Sequence, residues 1–245
     1  MSIWGKVIGG VAGFAISGPL GAILGAVAGH HAFDKRKTDA AALGGAAGAR
    51  QVAFTTAVIV LSAKMAKADG RVTRDEVDAF KELFHISAKE MKNVGRLFDE
   101  AKEDAEGFEP YAEQIAMMFA SQPAVMEELL GGLFHIAKAD GVVHPNELNF
   151  LRKTALIFGF TEQQFERLKT IYIGTEESDP YQILGLTRKA SDDAVKKKYR
   201  KLIRENHPDK LIAQGMPQEF IDVANEKMAA INAAYDRIEK ERGLK

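Results

Sequence analysis

Apolar residues recur along most of the chain at intervals of three and four positions, which is the period of an amphipathic α-helix. Val77, Phe80 and Phe84 form one such stripe in the middle of the chain. No segment alternates apolar and polar residues convincingly, as a half-buried strand would. The pattern therefore predicts an all-α protein.

The first 34 residues depart from this pattern, because their apolar stretch has no polar face. Residues 7–29 carry no charge, and their length is close to the roughly 20 residues that a helix needs to cross a bilayer. A basic cluster follows, and such clusters stay on the cytoplasmic side. We therefore predict residues 1–34 as a glycine-rich transmembrane helix, with a single span and the bulk of the chain in the cytoplasm. A hairpin or a peripheral anchor is the alternative, since Ser17-Gly18-Pro19 interrupts the stretch.

Glycines recur at four-residue spacing in two parts of this membrane segment. On a helix, this spacing lets two backbones approach closely, as in membrane dimers. The glycines concerned are Gly5, Gly9, Gly13, Gly21, Gly25 and Gly29. We expect them to form the contact surface of a homodimer.

The middle of the chain contains an internal repeat, which follows a basic and then Gly/Ala-rich linker at residues 35–50. The pentapeptide Ala-Lys-Ala-Asp-Gly occurs at residues 66–70 and again at residues 137–141. Each copy predicts a helix, an Asp-Gly turn and two further helices. Residues 51–173 should thus form a bundle of about six or seven helices with approximate two-fold symmetry.

Several helix ends in this bundle carry local signals. Thr73 and Ser87 each precede a glutamate by three residues, which is the spacing of a capping box. Thr161 is placed to cap the final helix, and Pro145 suits a first helical position. Gly159 suits the end of a helix.

The acidic residues of the two repeats have two interpretations. Asp69, Glu76, Asp140 and Glu147 could converge near the two-fold axis and hold a divalent cation through their carboxylate oxygens. Alternatively, each Asp-Gly pair forms a tight turn and each glutamate caps or neutralises a helix N-terminus. The paired pattern resembles the TerB (tellurite-resistance-like) helical domain, a resemblance that leaves both interpretations open.

The most specific motif lies near the C-terminus, where a basic amphipathic helix is predicted over residues 192–203. His207, Pro208 and Asp209 follow that helix, and a second apolar-faced helix comes after them. Pro208 cannot continue a helix and restrains the residue before it. The tripeptide is therefore expected to form a rigid corner between two helices; the simplest alternative is that it only connects them.

Charge is unevenly distributed, although the formal net charge of the chain is only −1. Residues 38–178 are net negative, whereas residues 179–245 are net positive, with the cations concentrated on the basic helix. The two parts are therefore expected to have different partners, and nucleic acid is not expected among them. The absence of cysteine excludes disulfides and thiolate-bound zinc.

Residues 179–245 resemble the J domain of the DnaJ co-chaperone family, after a short linker at residues 174–178. The resemblance covers Asp-Pro-Tyr-Gln-Ile-Leu-Gly-Leu at 179–186, the basic helix, the His-Pro-Asp tripeptide and Ile-Asn-Ala-Ala-Tyr at 231–235. It implies a helical hairpin whose basic helix docks onto a DnaK-type ATPase chaperone and whose corner stimulates ATP hydrolysis there. The residues that it implies for chaperone binding are Lys196, Lys197, Tyr199, Arg200, Lys201, His207, Pro208 and Asp209.

This J-domain-like segment departs from the family in two places. Lys198 stands where the family often has a small alanine, and the segment Leu211–Pro217 after the corner is longer than in many relatives. The extra lysine adds a charge at the edge of the expected docking surface. The longer segment changes how the two helices are joined.

The order of membrane segment, bundle and J domain resembles the DjlA family of membrane-anchored co-chaperones over the whole chain. The resemblance implies an inner-membrane co-chaperone. Enzymatic activity is not expected, because the sequence lacks a Cys/His pair, a phosphate-binding loop and a Gly-x-Ser-x-Gly motif. No cofactor is expected apart from the divalent cation considered above. The alternative is a metal-responsive envelope-stress sensor or scaffold in which the bundle is the active part.

Overall fold

The computed structural model describes residues 18–21, 45–70, 73–86, 88–103, 107–175 and 177–244. Within these ranges the chain forms α-helices and one short 3-10 helix, and no strand occurs. The all-α fold class is thereby confirmed.

Seven of the described helices belong to the bundle, which agrees with the predicted number. They are α1 (Gly45–Asp69), α2 (Arg74–Leu83), α3 (Ala88–Glu103), α4 (Glu109–Met118), α5 (Pro123–Ala137), α6 (Pro145–Ile157) and α7 (Glu162–Ile173). The J-domain part contributes α8 (Pro180–Leu184), α9 (Asp192–Glu205), α10 (Pro208–Ala213), the 3-10 helix Gln218–Phe220 and α11 (Ile221–Arg242).

Helix α1 is the centre of the bundle. From Val52 to Met65 every residue is buried, and the helix packs against α3, α4, α5 and α6. A helix that is buried on all sides needs no polar face. Helix α1 begins at Gly45, so the end of the predicted 35–50 linker is helical; its alanines favour a helix that packing then stabilises.

The internal repeat is visible in the order of the helices. Helices α1, α2 and α3 correspond to α5, α6 and α7, and α4 joins the two sets. Gly70 and Gly141 follow the first helix of each set with φ angles of +77° and +90°. Only glycine adopts such angles without strain, which explains why both turns contain one.

The predicted helix ends agree with the structure where it describes them. Thr73 and Thr161 form capping boxes at the starts of α2 and α7. Pro145 is the first residue of α6, and Gly159 follows that helix with a φ angle of +84°. Ser87 lies outside the described residues.

The J-domain part has its own small core, in which α9 packs against α11. Val195 and Leu202 of α9 and Ile231 and Ile238 of α11 are buried together. The predicted hairpin is correct in these two helices but omits α10 and the 3-10 helix between them. Helix α10 overlaps the start of the segment at residues 211–217, and the 3-10 helix follows that segment directly.

Residues 211–217 and the 3-10 helix after them pack against the bundle and not against the J-domain core. Leu211, Met216 and Phe220 are fully buried within the hydrophobic core of the bundle. The ring of Phe220 meets Phe54 edge to face at 4.7 Å and Phe84 at 5.3 Å between centroids. Leu211 and Met216 of this segment, together with Phe220 just after it, therefore fasten the J-domain part to the bundle.

Only a small part of the predicted membrane segment is described. Residues 18–21 form one helical turn, in which Gly21 and Leu20 are buried. The backbone N–H of Leu20 donates to the side-chain oxygen of Gln114 at 2.9 Å. Among the described helices, none combines the length and hydropathy needed to span a bilayer. The other five predicted contact glycines lie outside the described residues, namely Gly5, Gly9, Gly13, Gly25 and Gly29.

Candidate functional site

The corner between α9 and α10 is built by short-range hydrogen bonds. Asn206 ends α9, is buried, and its side-chain nitrogen donates to the carbonyl of Leu202 at 2.8 Å. His207 precedes the first residue of α10, and its Nδ1 accepts from the backbone N–H of Asp209 at 3.2 Å. Pro208 occupies the first helical position, where its missing N–H costs nothing. The conformation of the corner is therefore set by local hydrogen bonds and by Pro208.

The functional groups of the corner point outward. The side chains of His207 and Asp209 are 54% and 90% exposed, and 3.8 Å separates Nδ1 of His207 from Oδ2 of Asp209. Because Nδ1 accepts a hydrogen bond, a neutral His207 carries its proton on Nε2, which is left as an outward donor. The corner thus offers a carboxylate and an imidazole N–H on a rigid backbone.

The cations of α9 lie directly before this corner. Lys197 and Arg200 are exposed and Lys196 is partly buried. Lys201 is also exposed and lies 3.9 Å from Glu205 in the next turn. The structure therefore brings the predicted cationic residues onto one helix, with His207, Pro208 and Asp209 at its end.

Tyr199 differs from the other predicted docking residues, because most of its contacts are internal. Its ring stacks on Tyr235 with 4.0 Å between the centroids. Its hydroxyl donates to the side-chain oxygen of Asn232 at 3.0 Å. Tyr199 therefore fastens α9 to α11, as expected of a residue spaced with Val195 and Leu202 on the apolar side of α9.

Arg242 also holds α9 in place, and the sequence interpretation missed it. Its Nε donates to the Tyr181 hydroxyl at 2.6 Å. One Nη1 hydrogen bond reaches the Ala190 carbonyl at 2.7 Å, and another reaches Asp192 in the first turn of α9 at 2.9 Å. Arg242 is at least fifty positions from Ala190 and Asp192, so no local pattern could indicate these contacts.

A buried charge network joins α11 to the bundle. Lys227 of α11 is fully buried, and its Nζ lies 2.9 Å from Oε1 of the fully buried Glu128 on α5. The same ammonium also pairs with Glu127. Arg167 of α7 pairs with Glu127 at 3.2 Å and donates from Nε to the Ile183 carbonyl of α8 at 2.9 Å. Three charged side chains of the bundle and one of the J-domain part therefore form an ion-pair network where the two parts meet.

The pKa values of the two adjacent carboxyls of this network are shifted in opposite directions. Burial raises the pKa of Glu127, but the charges of Lys227 and Arg167 outweigh it, and the pKa falls to about 2. At Glu128 burial prevails over the attraction of Lys227, and the pKa is raised. Burial also raises the pKa of the Tyr172 hydroxyl, and the charge of Glu128 adds to this effect.

The acidic residues of the repeats serve as caps in the structure. The carboxylate of Glu76 accepts from the backbone N–H of Thr73 at 2.6 Å, and that of Glu147 accepts from the N–H of His144 at 2.9 Å. Asp140 accepts from the N–H of Val142 at 3.1 Å inside its own turn. The side chain of Asp69 lies outside the described part of the chain.

No group of three or more His, Asp or Glu side chains among the described residues could hold a metal ion. The described acidic residues thus follow the turn-and-cap interpretation. A divalent cation held by all four carboxylates stays a prediction, as does the metal-responsive sensor that depends on it.

Three known families match successive parts of the chain. Residues 1–51 match the co-chaperone DjlA transmembrane domain. Residues 55–170 match the family described as tellurite resistance protein TerB, and residues 179–242 match the DnaJ domain. The matches cover the predicted membrane segment, the bundle and the J-domain part in the predicted order.

Proteins named co-chaperone protein DjlA are similar along nearly the entire chain. One from Shewanella oneidensis is 33% identical, with both chains covered completely. One from Photobacterium profundum is 31% identical over 99% of this chain and 100% of its own, and one from Coxiella burnetii is 31% identical over 98% of each. No solved structure matches the chain. The chain therefore belongs to the DjlA family of membrane co-chaperones, with a TerB-like bundle and a C-terminal J domain.

Proposed function

We propose that the protein docks a DnaK-type chaperone through the cations of α9 and stimulates its ATPase through the corner of His207, Pro208 and Asp209. The observation that carries the proposal is the placement of Asp209. Its side chain is 90% exposed, yet its backbone N–H is bonded to His207 at the end of a cationic helix. A partner meets a carboxylate that is already in position.

The two parts of the surface contribute differently to this activity. Exposed cations on α9 steer the encounter and set the orientation of the partner. A change in the partner's conformation requires a contact that favours one of its states over the other. The rigid corner provides that contact, so Asp209 acts on the rate of hydrolysis more than on docking.

The test is steady-state ATP hydrolysis by a DnaK-type chaperone in the presence of the full chain in detergent micelles. Asp209→Asn should abolish the stimulation, while the affinity of docking, followed by fluorescence anisotropy, should stay close to that of the parent chain. Asp193→Asn is the matched control, because it makes the same change on an exposed residue at the opposite end of α9. Equal stimulation by the parent chain and Asp209→Asn would disprove the proposal.

The proposed topology is a single span in the inner membrane, with the bundle and the J domain in the cytoplasm. The basic residues after the apolar stretch support this orientation. A reporter that is active only in the periplasm, fused after residue 245, should therefore be silent. Activity of that reporter would reverse the assigned orientation.

The proposed homodimer forms through the glycines of the membrane segment. Replacement of Gly9 and Gly13 by leucine should separate the helices, because the backbones could no longer approach closely. The readout is cross-linking of the full chain in membranes. The same cross-linking yield before and after the replacement would exclude this surface.

We also propose that the chain itself is not an enzyme, so that ATP hydrolysis requires the partner chaperone.

A further inference from the structure

A polar cleft lies where the bundle meets the J-domain part. Its walls come from the N-terminal ends of α5 and α7 on one side and from α9 and α10 on the other. Its volume of about 720 Å³ lies within the range of about 300–1,000 Å³ that is typical of small-molecule sites. The cleft is separate from the exposed side chains of His207 and Asp209.

Two deeply buried residues in the lining of this cleft have polar atoms without a partner among the described residues. They are Nη2 of Arg167, a residue that is 5% exposed, and Oδ1 of Asn206, a residue that is 2% exposed. The side-chain oxygens of Gln122 and Gln214 in the lining are likewise unpartnered within the described chain. Buried polar atoms are costly without a hydrogen bond. The side chains that line the cleft thus include one donor and three acceptors whose hydrogen bonds are not made within the described chain.

The charged side chains of the lining are mostly basic. Arg167, Lys198, Lys201 and Lys210 contribute four cations. Two carboxylates oppose them: Glu205 lies 3.9 Å from Lys201, and Glu127 is already paired with Arg167 and with Lys227 outside the lining. The lining thus has a positive excess that a bound anion would neutralise.

Arg167 and Lys198 come together at Gly185. A Cβ atom at Gly185 would lie 3.2 Å from Cδ of Arg167 and 3.8 Å from Nζ of Lys198. Burial lowers the pKa of Lys198, and the nearby charges of Arg167 and Lys201 add to this effect. Lys198 is also the cation that the sequence analysis singled out as a departure from the J-domain pattern.

We propose that this cleft binds a small organic anion whose phosphate or carboxylate group is held by Arg167 and Lys198. Hydroxyl or amino donors of the same molecule would reach Asn206, Gln122 and Gln214. Because the ligand contacts α5 and α7 as well as α9, it connects the bundle to the J domain. The proposal does not depend on the proposed activity toward a chaperone.

The test is calorimetric titration of the full chain in detergent micelles with two probes, glycerol 3-phosphate and citrate. Both carry anionic groups and a hydroxyl donor. Lys198→Ala should weaken binding about ten- to hundredfold, the usual effect of losing a charge-assisted hydrogen bond. Lys197→Ala is the matched control, because it removes the same charge from the same helix at a residue outside the lining, and it should bind as the parent does.

The outcomes distinguish a phosphate ligand from a carboxylate ligand. They also decide whether the proposal stands. Heat with glycerol 3-phosphate alone assigns a phosphate ligand, and heat with citrate alone assigns a carboxylate. No heat with either probe, or equal weakening by Lys198→Ala and Lys197→Ala, would overturn the proposal. Lys210→Ala provides a second variant in an exposed residue of the lining, and it should also weaken binding without disturbing the fold.

Discussion

The J domain has two charged faces that differ in their exposure to solvent and in what their charges contribute to stability. On the outer face, Lys197, Arg200 and Asp209 are exposed to solvent. On the inner face, Lys227 is fully excluded from solvent, as is its partner Glu128 on α5 of the bundle. Exposed pairs contribute only about 0–1 kcal/mol to stability, whereas removing one partner of a buried pair costs about 3–5 kcal/mol.

The difference shows how one small domain can be both fixed and available for binding. Solvated charges on α9 lose little by exchanging water for a partner, so they suit a surface that docks and releases. The buried charge of Lys227 on α11, together with Phe220, holds the domain against the bundle. The proposed docking face therefore has a set orientation relative to the bundle.

The largest expected effect comes from breaking the inner face at Lys227. Lys227→Met leaves Glu128 buried without its cation, so the free energy of unfolding should fall by about 3–5 kcal/mol. Urea unfolding of the full chain in detergent micelles measures this loss. Lys240→Met is the matched control on the exposed side of the same helix, with an expected change within about 0.5 kcal/mol. Similar losses in both variants would mean that the buried network does not hold the two parts together.

A smaller effect should appear in the pH dependence of the free energy of unfolding, to which Glu127 contributes. Its pKa of about 2 in the folded chain lies below the value of about 4.3 expected for an unfolded glutamate. The ionised carboxylate therefore stabilises the fold fully above about pH 4.3, and this contribution is lost as the pH falls toward about 2. The difference corresponds to about 2–3 kcal/mol.

The measurement compares urea unfolding of the parent chain and Glu127→Gln at successive pH values. The stability advantage of the parent chain should shrink by about 2–3 kcal/mol as the pH falls from about 4.3 to about 2. Glu128 has a raised pKa, so its protonation favours the fold at falling pH and acts with the opposite sign. Glu113→Gln, at an exposed carboxyl, serves as the control. If the stability difference between the parent chain and Glu127→Gln were constant over this pH range, it would contradict the ion pairs assigned to Glu127.

The sequence predicts the outer face much better than the inner one. The corner at Pro208 and the capping box at Thr73 depend on residues within a few positions of each other, so local chemistry reveals them. Lys227 and Glu128 are 99 positions apart, and no periodicity connects them. Phe220 belongs to the J-domain part by sequence yet is buried in the core of the bundle. Such long-range packing can be identified only from the structure.

The smallest expected effect concerns Tyr199, which lies between the two faces. Tyr199→Phe keeps the stacking on Tyr235 but removes the hydrogen bond to Asn232. We expect the free energy of unfolding to fall by about 0.5–1.5 kcal/mol, with the affinity for the chaperone unchanged. Asn232→Ala should cause a similar loss, and the double variant should lose less than the sum of the two, because both remove the same bond. Weaker docking without any loss of stability would instead place the hydroxyl of Tyr199 in the docking surface, as the family resemblance implies.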